Sequence, residues 1–100
     1  MPTEIEIALF RIAQEALNNV AKHANATKID IELFEDDGRT MMAITDNGQG
    51  FDEKTQTARE LKHWGIPLMQ ERARAINGNF LLRSVPGQGT QILVQVKRSA

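Results

Sequence analysis

One hundred residues, 41% hydrophobic and 25% charged, suffice for one packed core and leave no room for a second domain. The formal net charge of -1, with both signs interspersed, provides no electrostatic footprint for nucleic acid or a membrane surface. Cysteine is missing, which removes disulfides and thiolate chemistry and fits a reducing compartment; no signal peptide is visible, and no apolar run approaches the ~18–20 residues of a membrane span.

Thr3 to Ala24 reads as one amphipathic helix, with Thr3 and Glu6 at capping-box spacing. At 3.6 residues per turn, Ile5, Leu9, Ile12, Ala13, Ala16, Leu17, Val20 and Ala24 share the core side. Arg11, Gln14, Asn18 and Lys22 take the wet side. Glu15, Asn19 and His23 are spaced i, i+4, i+8 and stack along the border between the two, where a cleft would be lined with polar groups. A polar margin on a surface helix has the same pattern. Asn25 is the expected stop.

Lys28 to Glu35 alternates strictly and predicts a half-buried strand with Ile29, Ile31 and Leu33 inward. Asp36-Asp37-Gly38 turns the chain into a returning strand, Arg39 to Asp46. Met42, Ile44 and Asp46 share a face, so packing the first two under the helix aims Asp46 inward as well. A buried carboxylate needs donors, and no basic residue is adjacent in sequence. A ligand donor is one answer.

Asp46-Asn47-Gly48-Gln49-Gly50-Phe51 follows: an acid at a strand end, then glycines two apart that remove the β-carbons blocking a flat ligand. Asp-Asn-Gly is also ordinary turn chemistry. Gln49 to His63 is polar, with a short helical turn expected around Thr57 to Leu61; loops of this length in compact domains are usually lids or binding loops. His63-Trp64-Gly65 closes it. A second helix is expected from Ile66 or Pro67 to Ile76, with stripe Leu68, Met69, Ala73 and Ile76, stopped by Asn77-Gly78. Met69 and Trp64 read as packing residues. Phe80 to Val85 and Thr90 to Val96 form a last hairpin around Pro86-Gly87-Gln88-Gly89. Helix, hairpin, loop, helix, hairpin predicts an α+β, two-layer α/β sandwich: a mixed, mostly antiparallel sheet with helices packed on one face.

Taken together, the motifs are more specific than any one of them. Glu15-xxx-Asn19-xx-Lys22-His23 on a helix, Asp46-x-Gly48-x-Gly50 after a strand, Gly65 opening a helix and Gly87-x-Gly89-Thr90 before the last strand closely resemble the ATP-binding catalytic domain of sensor histidine kinases, the Bergerat (GHKL) fold shared with gyrase, heat-shock chaperones and mismatch-repair ATPases. The wording of Phe10 to Ala24 (FRIAQEALNNVAKHA), His63 to Ala73 (HWGIPLMQERA) and Pro86 to Thr90 (PGQGT) is similar to the nitrate/nitrite-sensor branch, whose partners carry a LuxR-like DNA-binding domain. The resemblance implies ATP and Mg²⁺ as cofactors. It implies that Asn19 ligates Mg²⁺ and that Glu15 orders the metal's water shell or assists the attacking histidine. It further implies that Lys22 neutralises phosphate charge, that His23 lines the nucleotide, and that Asp46 accepts from the adenine amino group. Gly48 and Gly50 would admit base and ribose, Gly65 and Ile66 would meet the phosphates through backbone N–H groups, and Thr90 would support Asp46. Leu68 stands where the second lid motif often has glycine, which places phosphate contact there in doubt.

The same resemblance implies a phosphoacceptor histidine on a separate dimerisation domain, with a response regulator downstream. No such hairpin fits into residues 1–100, so the chain reads as a single catalytic domain, monomeric by itself, without nucleic-acid or direct membrane contact, and as the cytoplasmic portion of a membrane-anchored bacterial kinase. Rival readings are a serine kinase of the anti-sigma-factor type, an ATP-gated gyrase- or chaperone-like module with Glu15 as hydrolytic base, and a non-binding scaffold.

Overall fold

The computed structural model describes residues 3–24 and 26–97, except for the side chains of His23 and Ala24. The helix stop expected at Asn25, the nucleotide-lining role of the His23 side chain and the tail from Arg98 to Ala100 lie outside the described residues.

Helix α1 spans Thr3–Asn19 and buries Leu9, Ile12 and Ala16, one stripe at 3.6-residue spacing. From Val20–Ala24 the backbone winds as a π-helical turn, so the expected helix reaches its full length but changes pitch. One extra residue per turn rotates everything beyond Asn19 out of the α-helical phase, and such turns recur at functional sites. Leu17, expected in the core, is instead 42% exposed. It lies beyond the edge of the buried stripe, on the flank that also carries the exposed Phe10.

Strands β1 (Ile29–Asp36) and β2 (Arg39–Asp46) form a hairpin around Asp37 and Gly38, and β3 (Gly78–Val85) and β4 (Gly89–Lys97) form a second. The hairpins join through an antiparallel β2–β4 ladder, giving the order β1-β2-β4-β3. The sheet was expected to be mostly antiparallel, and every pairing among the described strands is. Between the hairpins run α2 (Ala58–His63) and α3 (Ile66–Ala75). Thr57 caps α2: its hydroxyl accepts from the Glu60 N–H at 3.1 Å, one half of a capping box, and donates to the Glu60 carboxylate at 3.2 Å.

The helices cover one face. The core joins Leu9, Ile12 and Ala16 of α1 with Ile66, Met69 and Ala73 of α3, Met42 and Ile44 of β2, and Ile92, Val94 and Val96 of β4. Each large apolar side chain so buried contributes roughly 1.5–3 kcal/mol. This face centres on β2 and β4, which explains two departures from the expected pattern. On β1 only Ile29 is half-buried; Ile31 and Leu33 have the expected inward parity, opposite Ile44 and Met42, yet stay 43% and 54% exposed because the edge strand extends past the helices. On α3, Leu68 is 41% exposed while Met69 and Ala73 are sealed.

Candidate functional site

The C-terminal end of β2 and the start of β4 meet in register, Asp46 opposite Thr90, with Ser84 opposite Thr90 on β3. These three polar residues form one row on the helix face, just where the apolar ladder of Ile44 and Ile92 ends. Asp46 is half-buried, and its Oδ1 accepts the Gly48 N–H at 2.8 Å. One N–H leaves most of the carboxylate's acceptor capacity unused, so the group still faces the slot as a hydrogen-bond acceptor. Asn47 turns the other way. Its side chain accepts from the Thr27 and Lys28 N–H groups at 3.0 and 2.9 Å and donates to the Thr27 hydroxyl, pinning the chain before β1 to the strand end.

Ser84 organises the far end of the row. Buried at 4% exposure, its Oγ accepts the Phe51 N–H at 2.9 Å, donates to the Gly89 carbonyl at 3.3 Å and lies 2.8 Å from Thr90 Oγ1. Phe51 is thereby fixed as a wall. Gly50 adopts φ +62, and a β-carbon there would stand 2.8 Å from the Gly89 carbonyl oxygen and 2.9 Å from the Val85 carbonyl carbon. The missing side chain at Gly50 therefore serves the close approach of this loop to the β3–β4 turn.

α1 supplies the opposite wall. Ala16 and Asn19 line the slot with Val20 of the π-helical turn, facing Ile44, Asp46, Thr90 and Ile92 from the sheet, Phe51 from the loop, and Trp64 and Ile66 from the junction into α3. The Asn19 side-chain amide donates to the Trp64 carbonyl. One turn back, Glu15 lies against Gly65 (φ +72), where a β-carbon would come within 2.8 Å of Glu15 Cδ. A larger recess of about 620 Å³ runs along α2, lined by Arg59, Glu60, Lys62, His63 and Trp64, so Trp64 borders both cavities.

The structure thus brings Asn19, Asp46, Ile66 and Thr90 around one slot, sets Gly48 on Asp46, and places Glu15 and Gly65, neither of which lines the slot, against each other. It does not bring Lys22 there: that residue is exposed on the π-helical turn. Sequence reasoning missed Ala16, Val20, Ile44, Ile92, Phe51, Trp64 and Ser84. Parity could have found Ile44 and Ile92, since they adjoin Asp46 and Thr90 on the same face; Ser84 carried no signal of its own. Among the described residues no three His, Asp or Glu side chains gather as a metal cluster.

A family model described as "Histidine kinase-, DNA gyrase B-, and HSP90-like ATPase" matches residues 4–100. The chain belongs to this family. Relatives extend the match: the "Sensor protein VraS" of Staphylococcus aureus (strain COL) is 43% identical over 97 residues, covering 95% of this chain and 26% of its own. The "Signal transduction histidine-protein kinase/phosphatase DegS" of Brevibacillus brevis is 38% identical over 95 residues, covering 95% and 24%. The chain is therefore homologous to sensor histidine kinases and spans about a quarter of the length of these curated relatives. The fold agrees with the ATP binding domain of PrrB from Mycobacterium tuberculosis (TM-score 0.77, 22% identity, 94% of this chain and 69% of that one). It also agrees with the blue-light activated histidine kinase of Erythrobacter litoralis EL346 (TM-score 0.79, 17% identity, 97% and 31%). No helix among the described residues is long and apolar enough to cross a membrane.

Proposed function

We propose that this chain is the ATP-binding catalytic domain of a two-component sensor histidine kinase, and that the slot between α1 and the β2–β4 ladder holds the nucleotide. The observation that carries the reading is Asp46, a half-buried carboxylate with spare acceptor capacity at the end of an apolar slot, paired in register with Thr90. A purine fits those chemical demands. Ile44 and Ile92, side by side on the sheet, offer apolar surface to one of its faces, Asp46 accepts from its exocyclic amine, and the Thr90 hydroxyl, tied to Ser84, flanks the acid. Direction comes from the acceptor: a base with an amino group at that edge gains a hydrogen bond, while one with a carbonyl there meets a carboxylate.

The donor set also fits a nucleotide-borne Mg²⁺. Asn19 presents a side-chain carbonyl oxygen, a hard ligand, and Mg²⁺ usually takes only one or two protein ligands, completing its shell with waters and phosphates. When bound, ATP supplies the transferable γ-phosphoryl group and Mg²⁺ neutralises its charge. The chain's own residues would bind and orient: Asp46 and Thr90 would fix the base and Asn19 would hold the metal, with Glu15 one helical turn away, while the basic side chains Arg59 and Lys62 line the neighbouring recess. The attacking imidazole comes from a separate dimerisation domain, and a response regulator receives the phosphoryl group in turn. The isolated domain is monomeric in this reading, and the full-length protein is membrane-anchored with this domain in the cytoplasm. Similarity to the nitrate/nitrite-sensor branch rests on motif wording, whereas the relatives described above are VraS and DegS, so the proposal is made for sensor histidine kinases as a group.

Calorimetric titration with Mg-ATP tests it. Binding by the wild type that is lost in Asp46→Asn, with circular dichroism unchanged, is the expected result. A folded wild type that produces no heat in either the presence or absence of Mg²⁺ overturns it.

A further inference from the structure

The described helices leave the other face of the sheet uncovered, and the strand register shows what lies on it. Odd-numbered residues of β2, β3 and β4 and even-numbered residues of β1 point away from the core. Phe34 stands beside Met41, Ala43 beside Leu93, and Leu93 beside Leu81, so an apolar band crosses all four strands. Its ends, Phe34 and Leu81, are 41% and 56% exposed, and the three residues between them are half-buried. The charges around the band are sorted by strand. Asp30, Glu32 and Asp36 line the β1 margin, whereas Arg83 of β3 and Lys97 of β4 lie across the sheet. Asp30 and Arg83 end one row at opposite margins, with Thr45 and Gln91 between them. Asp30 meets Lys28 at 3.8 Å, but both side chains are more than half exposed, so the carboxylate stays open to a further cation.

A face that is acidic at one margin and basic at the other is its own complement. A second copy turned about an axis along the strands, between β2 and β4, sets its bases over the first copy's acids. Sheets packed face to face keep their strands within ~30° of each other, which such an axis allows. We infer that this sheet face is a two-fold contact between two copies of the chain, band on band, with Asp30 opposite the partner's Arg83. Size sets its strength. Four strands ~4.8 Å apart and eight residues long at ~3.3 Å per residue give roughly 500 Å² per face, below the ~800 Å² per partner of a standard stable interface. Arg39 also meets the partner's Lys97 in this arrangement, like against like. The contact is therefore transient: free chains are monomeric at micromolar concentration and pair with a Kd on the order of 0.1–1 mM. Copies joined by a short linker to a dimerisation domain reach that range, and only this use of the surface rests on the kinase reading. The nucleotide slot lies on the opposite, helix-covered side, so pairing leaves it accessible.

Sedimentation equilibrium and amide NMR shifts, each from about 10 µM to about 1 mM, test it on four proteins. These are the wild type, Leu81→Glu, Asp30→Arg, and Asp30→Arg combined with Arg83→Asp. The wild type should show a monomer–dimer equilibrium whose concentration-dependent shifts fall on Met41, Ala43, Leu81 and Leu93. Leu81→Glu should abolish it while keeping the wild-type melting temperature and Mg-ATP affinity, since Leu81 is more than half exposed and far from the slot lining. Asp30→Arg should weaken pairing about three- to tenfold, and the double exchange should restore it. No dimer up to about 1 mM overturns the inference and leaves the band to a partner of different sequence. Shifts confined to Ile31 and Leu33 also overturn it, because the copies would then meet along the β1 edge. A double exchange no better than Asp30→Arg alone overturns the two-fold arrangement. None of these outcomes bears on the nucleotide slot, which the Mg-ATP calorimetry tests separately.

Discussion

Replacing Gly50 by alanine isolates the cost of a close backbone approach in the ligand-side loop. The left-handed conformation at φ +62 charges an L-residue roughly 1–2 kcal/mol. The new methyl also meets the Val85 and Gly89 carbonyls, backbone atoms at the β3–β4 turn that have no rotamer by which to withdraw. Overpacking of that kind adds ~1–3 kcal/mol, giving about 2–5 kcal/mol in all. Gly87 is the internal control. Its φ of +79 carries the same conformational penalty, but nothing lies within 4 Å of the added carbon. In a domain of this size 1 kcal/mol moves the melting temperature by ~4–8 °C, so Gly87→Ala should lower it by about 4–16 °C and Gly50→Ala by about 8–40 °C, the larger fall being at Gly50. Thermal unfolding followed by circular dichroism measures both. Equal shifts in the two variants would refute the argument, because the steric term would then be worth nothing.

Two further substitutions probe polar atoms in the core. Ser84→Ala removes the acceptor of the Phe51 N–H and the neighbour of the Thr90 hydroxyl, so we expect a loss of about 1–3 kcal/mol in urea unfolding and weaker Mg-ATP binding. An unchanged affinity would mean that the Phe51 wall holds without it. Thr40 is fully buried on β2 and its Oγ1 has no hydrogen-bond partner among the described residues. Thr40→Val keeps the shape and removes the stranded hydroxyl, so a gain of about 1 kcal/mol is expected, and a lower denaturation midpoint would reveal an unrecognised partner.

The parts of the fold readable from sequence were those governed by local periodicity. Leu9, Ile12 and Ala16 follow from α-helical phase, and Met42, Ile44 and Asp46 from strand parity. Phase stops being informative at Val20, where the π-helical turn has no signature in residue type. Parity also says which side a residue faces but not how far the covering layer reaches, which is why Ile31 and Leu33 point inward and remain wet. In the site, Asp46 was legible because an acid of inward parity demands a partner. Trp64 was not: a tryptophan beside a glycine reads as packing, and its place at the slot, with its carbonyl on the Asn19 amide, joins residues 45 positions apart. Ser84 is silent for the same reason, since its hydrogen bonds to Phe51 and Thr90 exist only once three segments meet.

The open margin of the sheet has a consequence for handling the molecule. Among the described strands β1 pairs with β2 alone, so its outer edge runs beside the exposed Ile31 and Leu33 as a template on which another strand could lie. Asp30, Glu32, Glu35 and Asp36 sit on that same strand, so two copies brought edge to edge would set carboxylates against carboxylates. The repulsion between exposed charges reaches only as far as the ionic atmosphere permits, ~10 Å at 0.1 M salt and ~3 Å at 1 M. The strand's acidity thus protects it best in dilute buffer, and concentrated stocks at molar salt are where slow strand-to-strand association should first become visible.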